Sequence, residues 1–178
     1  GGSCFPKDVN ALINTANSVG YKPELIKAVD NLNEKQKLVI VEKIVAYFGE
    51  NLNRKTFALW GLSFKPETDD MRDAASLIVV DELTKRGAKI CAYDPNAMTV
   101  AKSHYFKQNT RISYSEQKYD ATQNADALIL LTEWKEFRSP NFEKLKAQLN
   151  NPIIFDGRNQ YNAFDMEKLG FEYFQIGV

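Results

Sequence analysis

The sequence has little of several residue types that mark specialised proteins. Among its 178 residues are one histidine, two cysteines and three methionines, and 23 basic residues balance 23 acidic ones. Two cysteines cannot form the disulfide framework of a small secreted domain, and one histidine is too few for a histidine-based metal cluster. We therefore expect no metal site. Because the formal net charge is zero, we also expect no nucleic-acid partner.

Long apolar runs are also absent. No stretch approaches the roughly 20 apolar residues that span a bilayer, so we expect no membrane partner. Two free thiols and no visible signal peptide are typical of a reducing cytosol, so we expect a cytoplasmic protein. Residues 1–3 lack an initiator methionine, which predicts that the chain starts inside a longer protein or after a tag remnant.

The apolar pattern divides the chain into two parts. Residues 8–49 carry apolar side chains at helical spacing, which predicts three helices: one from residue 8, one after Pro23 and one from about Asn33. These helices have no neighbouring strand in sequence, so they need another domain or subunit to cover their apolar faces. From Asn53 onward, short apolar runs alternate with amphipathic segments, which predicts an α/β fold with a doubly wound, Rossmann-like parallel sheet. The predicted strands are 56–61, 89–93, 111–114, 125–131, 152–155 and 173–176, and the predicted helices are 71–86, 97–103, 142–149 and 164–169.

Candidate ligand-binding residues follow the predicted strands, because open parallel sheets bind ligands beyond the carboxyl ends of their strands. Lys65 and Arg72 flank a helix start after the first strand, which suits an anion. A solvated loop, in which these cations pair with nearby acidic residues, is an equally open interpretation. Arg158, after the fifth strand, could reach the same crevice. Asp94 ends the second strand, where dinucleotide-binding folds place a ribose-binding acid, although this single residue is weak evidence. Trp134 and Asp156 also follow strands, and each has an alternative interpretation: a core side chain for the first and a loop brace for the second.

The amino-terminal segment GGSCFPKD is the densest chemical signal. Its glycines permit close approach of the backbone to a ligand. Cys4 precedes a predicted helix start, which favours a thiolate, and Lys7 and Asp8 add a cation and a potential base. Spacing alone leaves an inert surface cysteine as the more common interpretation. His104 is expected on the surface and Cys91 in the core.

Five segments together carry a resemblance to a known family. They read GGSCFPKD at 1–8, GLSFKPETDDMRDAAS at 61–76, AYDP at 92–95, LLTEW at 130–134 and FDGRN at 155–159. Their order and spacing resemble the UDP-glucose/GDP-mannose dehydrogenase family over the whole chain. The first segment would also suit the GDP-mannose branch, whereas TEW and FDGRN resemble the UDP-glucose 6-dehydrogenases. The resemblance implies that this chain is the carboxyl-terminal portion of such an enzyme.

The resemblance implies a reaction and a set of site residues. Enzymes of this kind oxidise the C6 alcohol of UDP-glucose to a carboxylate, with NAD as the acceptor and a cysteine-linked thiohemiacetal and thioester as intermediates. It implies that Cys4 is the nucleophile and that Asp8 positions or activates the hydrolytic water. It also implies NAD contacts by Lys7 and Arg72. The implied substrate-binding residues are Gly1, Phe5, Phe64, Lys65 and Arg158.

The resemblance also implies a domain division. Residues 1–52 correspond to a helical central region that builds much of a homodimer contact, and residues 53–178 to a UDP-sugar-binding domain. The family's amino-terminal NAD-binding domain has no counterpart here and is an expected partner. Two alternatives stay open: a nucleotide-sugar-binding module without catalysis of its own, and a dehydrogenase of a related sugar such as GDP-mannose. A stand-alone cysteine redox protein is disfavoured because Cys4 has no resolving cysteine nearby.

Overall fold

A computed structural model describes residues 4–178, which contain six strands and six α-helices. The strands are β1 (Thr56–Trp60), β2 (Lys89–Tyr93), β3 (Ile112–Tyr114), β4 (Ala127–Leu130), β5 (Ile153–Asp156) and β6 (Glu172–Gln175). The helices are α1 (Cys4–Ser18), α2 (Glu24–Phe48), α3 (Ala75–Lys85), α4 (Met98–Val100), α5 (Phe142–Gln148) and α6 (Ala163–Lys168). A π-helical turn (Ala101–Tyr105) and two 3₁₀ turns (Asp120–Thr122 and Lys135–Phe137) complete the regular structure of these residues.

The six strands form one parallel sheet in the order β3-β2-β1-β4-β5-β6. The chain winds outward from β1 to β3, crosses to β4 and winds outward again to β6. The point between β1 and β4, where the direction reverses, is therefore the topological switch point. All residues of β4 and β5 are buried, as expected when helices cover both faces of a parallel sheet. This confirms the predicted doubly wound, Rossmann-like fold.

Alternate residues of β1 face two separate cores. Phe57 and Leu59 pack with α2 and α3 on one face, whereas Ala58 and Trp60 pack with α5 and α6 on the other. This period of two is the side-chain alternation of a strand. On the first face, the carboxyl half of α2 contributes the buried side chains Ile40, Val41 and Ile44.

Three helix boundaries differ from the prediction. The second and third predicted helices are one continuous helix, α2, because the segment contains no glycine or proline after Pro23 and its asparagines cost a helix only a few tenths of a kcal/mol each. Helix α1 includes Cys4, since Pro6 is tolerated in a first helical turn. Helix α3 begins at Ala75 rather than Met71, because Asp73 has a positive φ of 55°, which a helix cannot contain.

The amino-terminal helices differ in burial from the sheet. In α1, Ile13 is the buried side chain, and large apolar side chains of α1 and the first half of α2 are exposed. The exposed ones are Phe5 and Leu12 of α1 and Leu25, Val29 and Leu32 of α2, and Val19 and Tyr21 between the two helices are exposed as well. The division of the chain after residue 52 stays a prediction, and the core on the α2 face includes residues from both sides of it. Within residues 4–178, no helix combines the length and the apolar character that crossing a membrane requires.

Candidate functional site

A crevice opens at the switch point of the sheet. Its floor and walls are the residues that follow β1, β4, β5 and β6, together with one face of α2 and the start of α3. Its volume is about 140 Å³, which is below the roughly 300–1,000 Å³ of complete small-molecule pockets. A group of the size of a diphosphate fits, and the rest of a larger ligand would lie outside the crevice.

The β1 loop, residues 61–74, is held in place by a close backbone approach. Gly61 has φ = 95°, and a Cβ atom there would lie 2.5 Å from the side chain of Thr132. Only glycine meets both conditions. Thr132 follows β4 and donates a 2.6 Å hydrogen bond to the carbonyl oxygen of Ser63. The loop is therefore fixed against the neighbouring strand just before Phe64 and Lys65.

Asp94 braces the same loop from the end of β2. Its side chain is fully buried, and its Oδ2 accepts hydrogen bonds from the amides of Leu62 (2.7 Å) and Ser63 (3.1 Å) and from the indole of Trp134 (3.2 Å). Its Oδ1 accepts from the amides of Asn96 and Ala97. Because both oxygens are occupied, Asp94 is a brace of the crevice wall. It is not available as the ribose-binding acid suggested by its position after β2. Trp134 is 8% exposed, in agreement with its interpretation as a core residue.

The β5 loop, residues 157–162, is braced by a second buried carboxylate. Asp156 accepts hydrogen bonds from the amides of Arg158 (2.8 Å) and Gln160 (2.7 Å) and from the hydroxyl of Tyr173 (2.8 Å). Burial raises the pKa of Tyr173, and the hydrogen bond to Asp156 raises this pKa further, so the hydroxyl remains a donor. The brace interpretation of Asp156 therefore agrees with the structure.

Arg158 lines the crevice and is held by one hydrogen bond of its guanidinium. Its Nε lies 2.5 Å from Oε2 of Glu133, which follows β4. Burial alone would raise the pKa of Glu133, but the hydrogen bond from Arg158 and the charges of Arg158 and Arg138 lower it below its ordinary value. Within residues 4–178, the two Nη groups of Arg158 have no hydrogen-bond partner, so the terminal fork is available to a ligand.

A second group of charges surrounds Arg72. Its guanidinium is mostly exposed and pairs with Asp70 at 2.7 Å. The hydrogen bond from Arg72 holds the pKa of Asp70 below its ordinary value, and the charge of Lys65 contributes to this shift. The same bond to Asp70 raises the pKa of Arg72, with a smaller contribution from Cys4, so Cys4 lies within electrostatic range of the guanidinium. In the part of the chain that the structure describes, Lys65 has no ion-pair partner and lies 5.3 Å from the ring of Phe64.

The structure therefore brings some of the predicted site residues together. Phe64 and Arg158 line one crevice from two different loops, and Lys65 adjoins it. Cys4 is exposed and lies near Arg72. Phe5, Lys7 and Asp8 are exposed residues of α1 that make no side-chain hydrogen bond or ion pair within residues 4–178, and Gly1 lies outside the described residues.

Three lining residues escaped the sequence analysis. Asn33, Gln36 and Lys37 of α2 face the crevice on the helix surface that continues as the buried Ile40. A polar patch at spacings of three and four, followed on the same face by core residues, is the signal that could have identified them. This polar patch was missed because the apolar runs in this segment indicated two separate helices.

Comparison with known proteins identifies the family. The UDP-binding-domain profile of the UDP-glucose/GDP-mannose dehydrogenase family matches residues 58–163, which include both braced loops and most of the crevice. The chain belongs to this family. The profile of the central domain of the same family matches residues 1–35.

Relatives in the UDP-glucose/GDP-mannose dehydrogenase family match the whole chain. It is 42% identical to a UDP-glucose 6-dehydrogenase of Pseudomonas aeruginosa and 41% identical to one of Bacillus subtilis, in each case over 99% of this chain. A solved UDP-glucose dehydrogenase from Pyrobaculum islandicum is 28% identical, with a TM-score of 0.79 over 99% of this chain and 37% of that one. The chain spans about 40% of the length of the first two relatives and corresponds to their carboxyl-terminal part.

The described residues were also compared with the side-chain groupings that bind metal ions. Within residues 4–178, no group of three histidine, cysteine or acidic side chains is arranged to hold a metal ion.

Proposed function

We propose that the crevice binds the diphosphate of a UDP-sugar, and that this chain is the carboxyl-terminal part of an NAD-dependent UDP-glucose 6-dehydrogenase. The observation that carries this proposal is the convergence of Phe64 and Arg158. They come from loops almost 100 residues apart in sequence, and both line the crevice at the switch point, within the segment that matches the UDP-binding domain. Open α/β sheets bind nucleotides at this point.

The lining groups suit a diphosphate. The free Nη fork of Arg158 matches the spacing of two phosphate oxygens, and bidentate contacts of this kind are strong. The ammonium group of Lys65 adjoins the crevice without an ion-pair partner in residues 4–178 and can contribute a second charge. Half-buried Phe64 offers an apolar wall beside these charges.

We propose that Cys4 is the catalytic nucleophile. Cys4 is exposed, and its charge contributes to the raised pKa of Arg72, an electrostatic coupling that suits a thiolate. The sulfur would add to the C6 aldehyde to give a thiohemiacetal, whose oxidation leaves a thioester that water opens to the carboxylate. Asp8, one helical turn along α1, would orient this water or accept its proton. Covalent capture keeps the aldehyde bound between the two oxidations.

NAD would supply the hydride acceptor for both oxidations. The present residues fit one edge of such a cofactor: Arg72 offers an exposed cation near Cys4, and Lys7 lies one turn from Cys4 on α1. The sequence contains no GxGxxG fingerprint that could bind the pyrophosphate of NAD. We therefore assign the main NAD site to an amino-terminal domain outside this chain, and we expect the isolated chain to be inactive.

The exposed apolar side chains of α1 and α2 support one further part of the proposal, a homodimer. Leu12, Leu25 and Val29 would be covered by a second copy of the enzyme or by the amino-terminal domain, which suits a homodimer.

UDP-glucuronate, the product, would serve polysaccharide biosynthesis. Two free cysteines fit a cytoplasmic location.

Calorimetric titration of the 178-residue chain tests the binding site. UDP-glucose should bind at least about tenfold more tightly than GDP-mannose, and NAD with UDP-glucose should give no NADH. Equal affinity for the two sugars would support the alternative of a related dehydrogenase. No binding of UDP or UDP-glucose would contradict the proposed site.

In the full-length enzyme, Cys4→Ser tests the chemistry. It should nearly abolish turnover to the acid and leave UDP-glucose affinity unchanged, because serine is a much weaker nucleophile. A turnover rate within a few-fold of wild type would rule out the covalent step, whatever its effect on melting temperature.

A further inference from the structure

The face of α2 that lines the crevice carries polar side chains with unused hydrogen-bond donors. The side-chain Nδ2 of Asn33 is buried and has no hydrogen-bond partner in residues 4–178. An amide group left buried without a partner costs about 1–3 kcal/mol, so native structures provide a partner for most such groups. Because Asn33 lines the crevice, an acceptor oxygen of a ligand bound there would satisfy this donor.

Lys37 lies one turn further along the same face. Its side chain is 10% exposed, and it lines the crevice. Its ammonium group donates to the exposed Glu34 at 2.7 Å, and no second acceptor is present in residues 4–178. Two of its three N–H donors therefore remain unused.

The charges around the crevice favour an anion. Within residues 4–178, Lys37 lines it from α2 and Arg158 from the β5 loop, and Asp73, which is exposed, is the single lining carboxylate. The first amides of α3 also border the crevice, and no side chain caps them. Helix amino-terminal amides and paired cations are the groups that bind phosphate oxygens.

We propose that Asn33 and Lys37 are phosphate-binding residues of this crevice, and that they hold the oxygens of a nucleoside diphosphate together with Arg158. This inference rests on the proposed function and deepens it. Helix α2 then contributes a third wall of the nucleotide site, in addition to the β1 and β5 loops. The crevice volume of about 140 Å³ can hold a group of the size of a diphosphate.

Helix α2 itself supplies matched controls. Asn31 and Lys35 are exposed and do not line the crevice, so they carry the same side chains in the same helix without the proposed contact. In calorimetric titrations of the 178-residue chain with UDP, Lys37→Met should lower affinity about tenfold or more, the range for a lost charge-assisted hydrogen bond. Lys35→Met should stay within about twofold of wild type, because exposed charges are screened.

The paired asparagine variants test the other contact. Asn33→Asp should lower UDP affinity more than Lys37→Met does, because it removes a donor and adds a negative charge, whereas Asn31→Asp should have little effect. Asn33→Ala decides the question if the aspartate variant does not fold, with about a fivefold loss expected. Lys37→Arg should retain most of the affinity.

A comparison of UDP with UMP distinguishes the loss of a diphosphate contact from a general structural defect of the variant. If Lys37 holds the diphosphate, Lys37→Met lowers UDP affinity more than UMP affinity, whereas a structural defect lowers both equally. UDP affinity within twofold of wild type in both Lys37→Met and Asn33→Ala would overturn this inference and leave the proposed site intact. No UDP binding by the wild-type chain would overturn both.

Discussion

The β1 and β5 loops face the same crevice, but the sheet holds them differently. Asp94 braces the β1 loop from the end of another strand and also binds the indole of Trp134 after β4, so one carboxylate joins three strand ends. Asp156 braces the β5 loop from the strand that precedes it. The first brace is therefore part of the tertiary structure, whereas the second is largely local. The difference predicts which loop tolerates change.

The largest expected effect is on stability, from Asp94→Asn. Both oxygens of Asp94 face at least two donors, so either orientation of an asparagine places its NH₂ group against N–H groups. We expect a loss of about 3 kcal/mol or more in the free energy of unfolding. Asp156→Asn should cost about 1–2 kcal/mol, because within residues 4–178 its Oδ1 accepts only from the amide of Arg158. Urea denaturation measures both, with the exposed Asp120→Asn as the control. A smaller loss for Asp94→Asn than for Asp156→Asn would contradict the comparison.

Gly61 and Gly157 are the first residues of the β1 and β5 loops. Replacement of Gly61 should destabilise the fold more than replacement of Gly157. Gly61→Ala combines a left-handed backbone with a Cβ 2.5 Å from Thr132, so we expect a loss of about 3 kcal/mol. At Gly157 a Cβ would meet the carbonyl oxygen of Leu130 at 3.1 Å without a positive φ, and the loss should be about 1 kcal/mol. Melting temperatures of the two variants provide the measurement. Equal shifts would mean that the β1 loop can move away from β4.

For UDP binding we expect the opposite ranking: substitutions in the β5 loop should have larger effects than substitutions in the β1 loop. Arg158→Ala should weaken UDP binding by about 2–3 kcal/mol. Arg158 lines the crevice, and its Nη groups donate no hydrogen bond to a protein group within residues 4–178, so they are available to the ligand. Lys65→Ala should weaken it by about 1 kcal/mol, since Lys65 is exposed and adjoins the crevice. Calorimetry at two salt concentrations checks both values. A larger effect for Lys65 would place the diphosphate over the β1 loop.

The smallest expected effect concerns acid pH. The pKa of Glu133 is lower in the folded chain than its ordinary value of 4.5, so folding favours the ionised form. Its contribution to stability is present above about pH 4.5 and is lost as the pH falls through the folded pKa. Because the pair with Arg158 is about one-third exposed, we expect only about 0.5 kcal/mol. Glu133→Gln should remove this part of the stability loss between pH 6 and pH 3 in calorimetric scans. An unchanged pH profile would show that the ion pair adds nothing.

The sequence allowed most of the sheet to be predicted because its strands are short, apolar and bounded by polar residues. β4 and β5 were predicted from continuous apolar runs, which they have because both faces of each strand are buried. The helix starts were less accurate, because they depend on backbone conformations such as the positive φ of Asp73. Such a conformation at a non-glycine residue leaves little trace in the sequence.

The candidate site was predictable only in part. Strand-end positions and the family resemblance pointed to Phe64 and Arg158, which the structure brings to one crevice. The hydrogen bonds of Asp94 could not be read from the sequence, because its partners lie on the loops after β1 and β4, more than 30 residues away in each direction. Asn33 and Lys37 were hidden because a helix that packs on the crevice looks the same in sequence as one that packs on a partner.

Helix α2 also unites two environments in one element about 37 Å long. Its carboxyl half is sealed into the sheet core by Ile40 and Ile44, whereas its amino half exposes Leu25 and Val29 and begins after Pro23 without a side-chain cap. Local opening follows local burial, so this helix should fray from its amino end. In amide hydrogen exchange, protection would rise along α2 from the first turns to the last, and the crevice-lining turn would lie at the midpoint of that gradient.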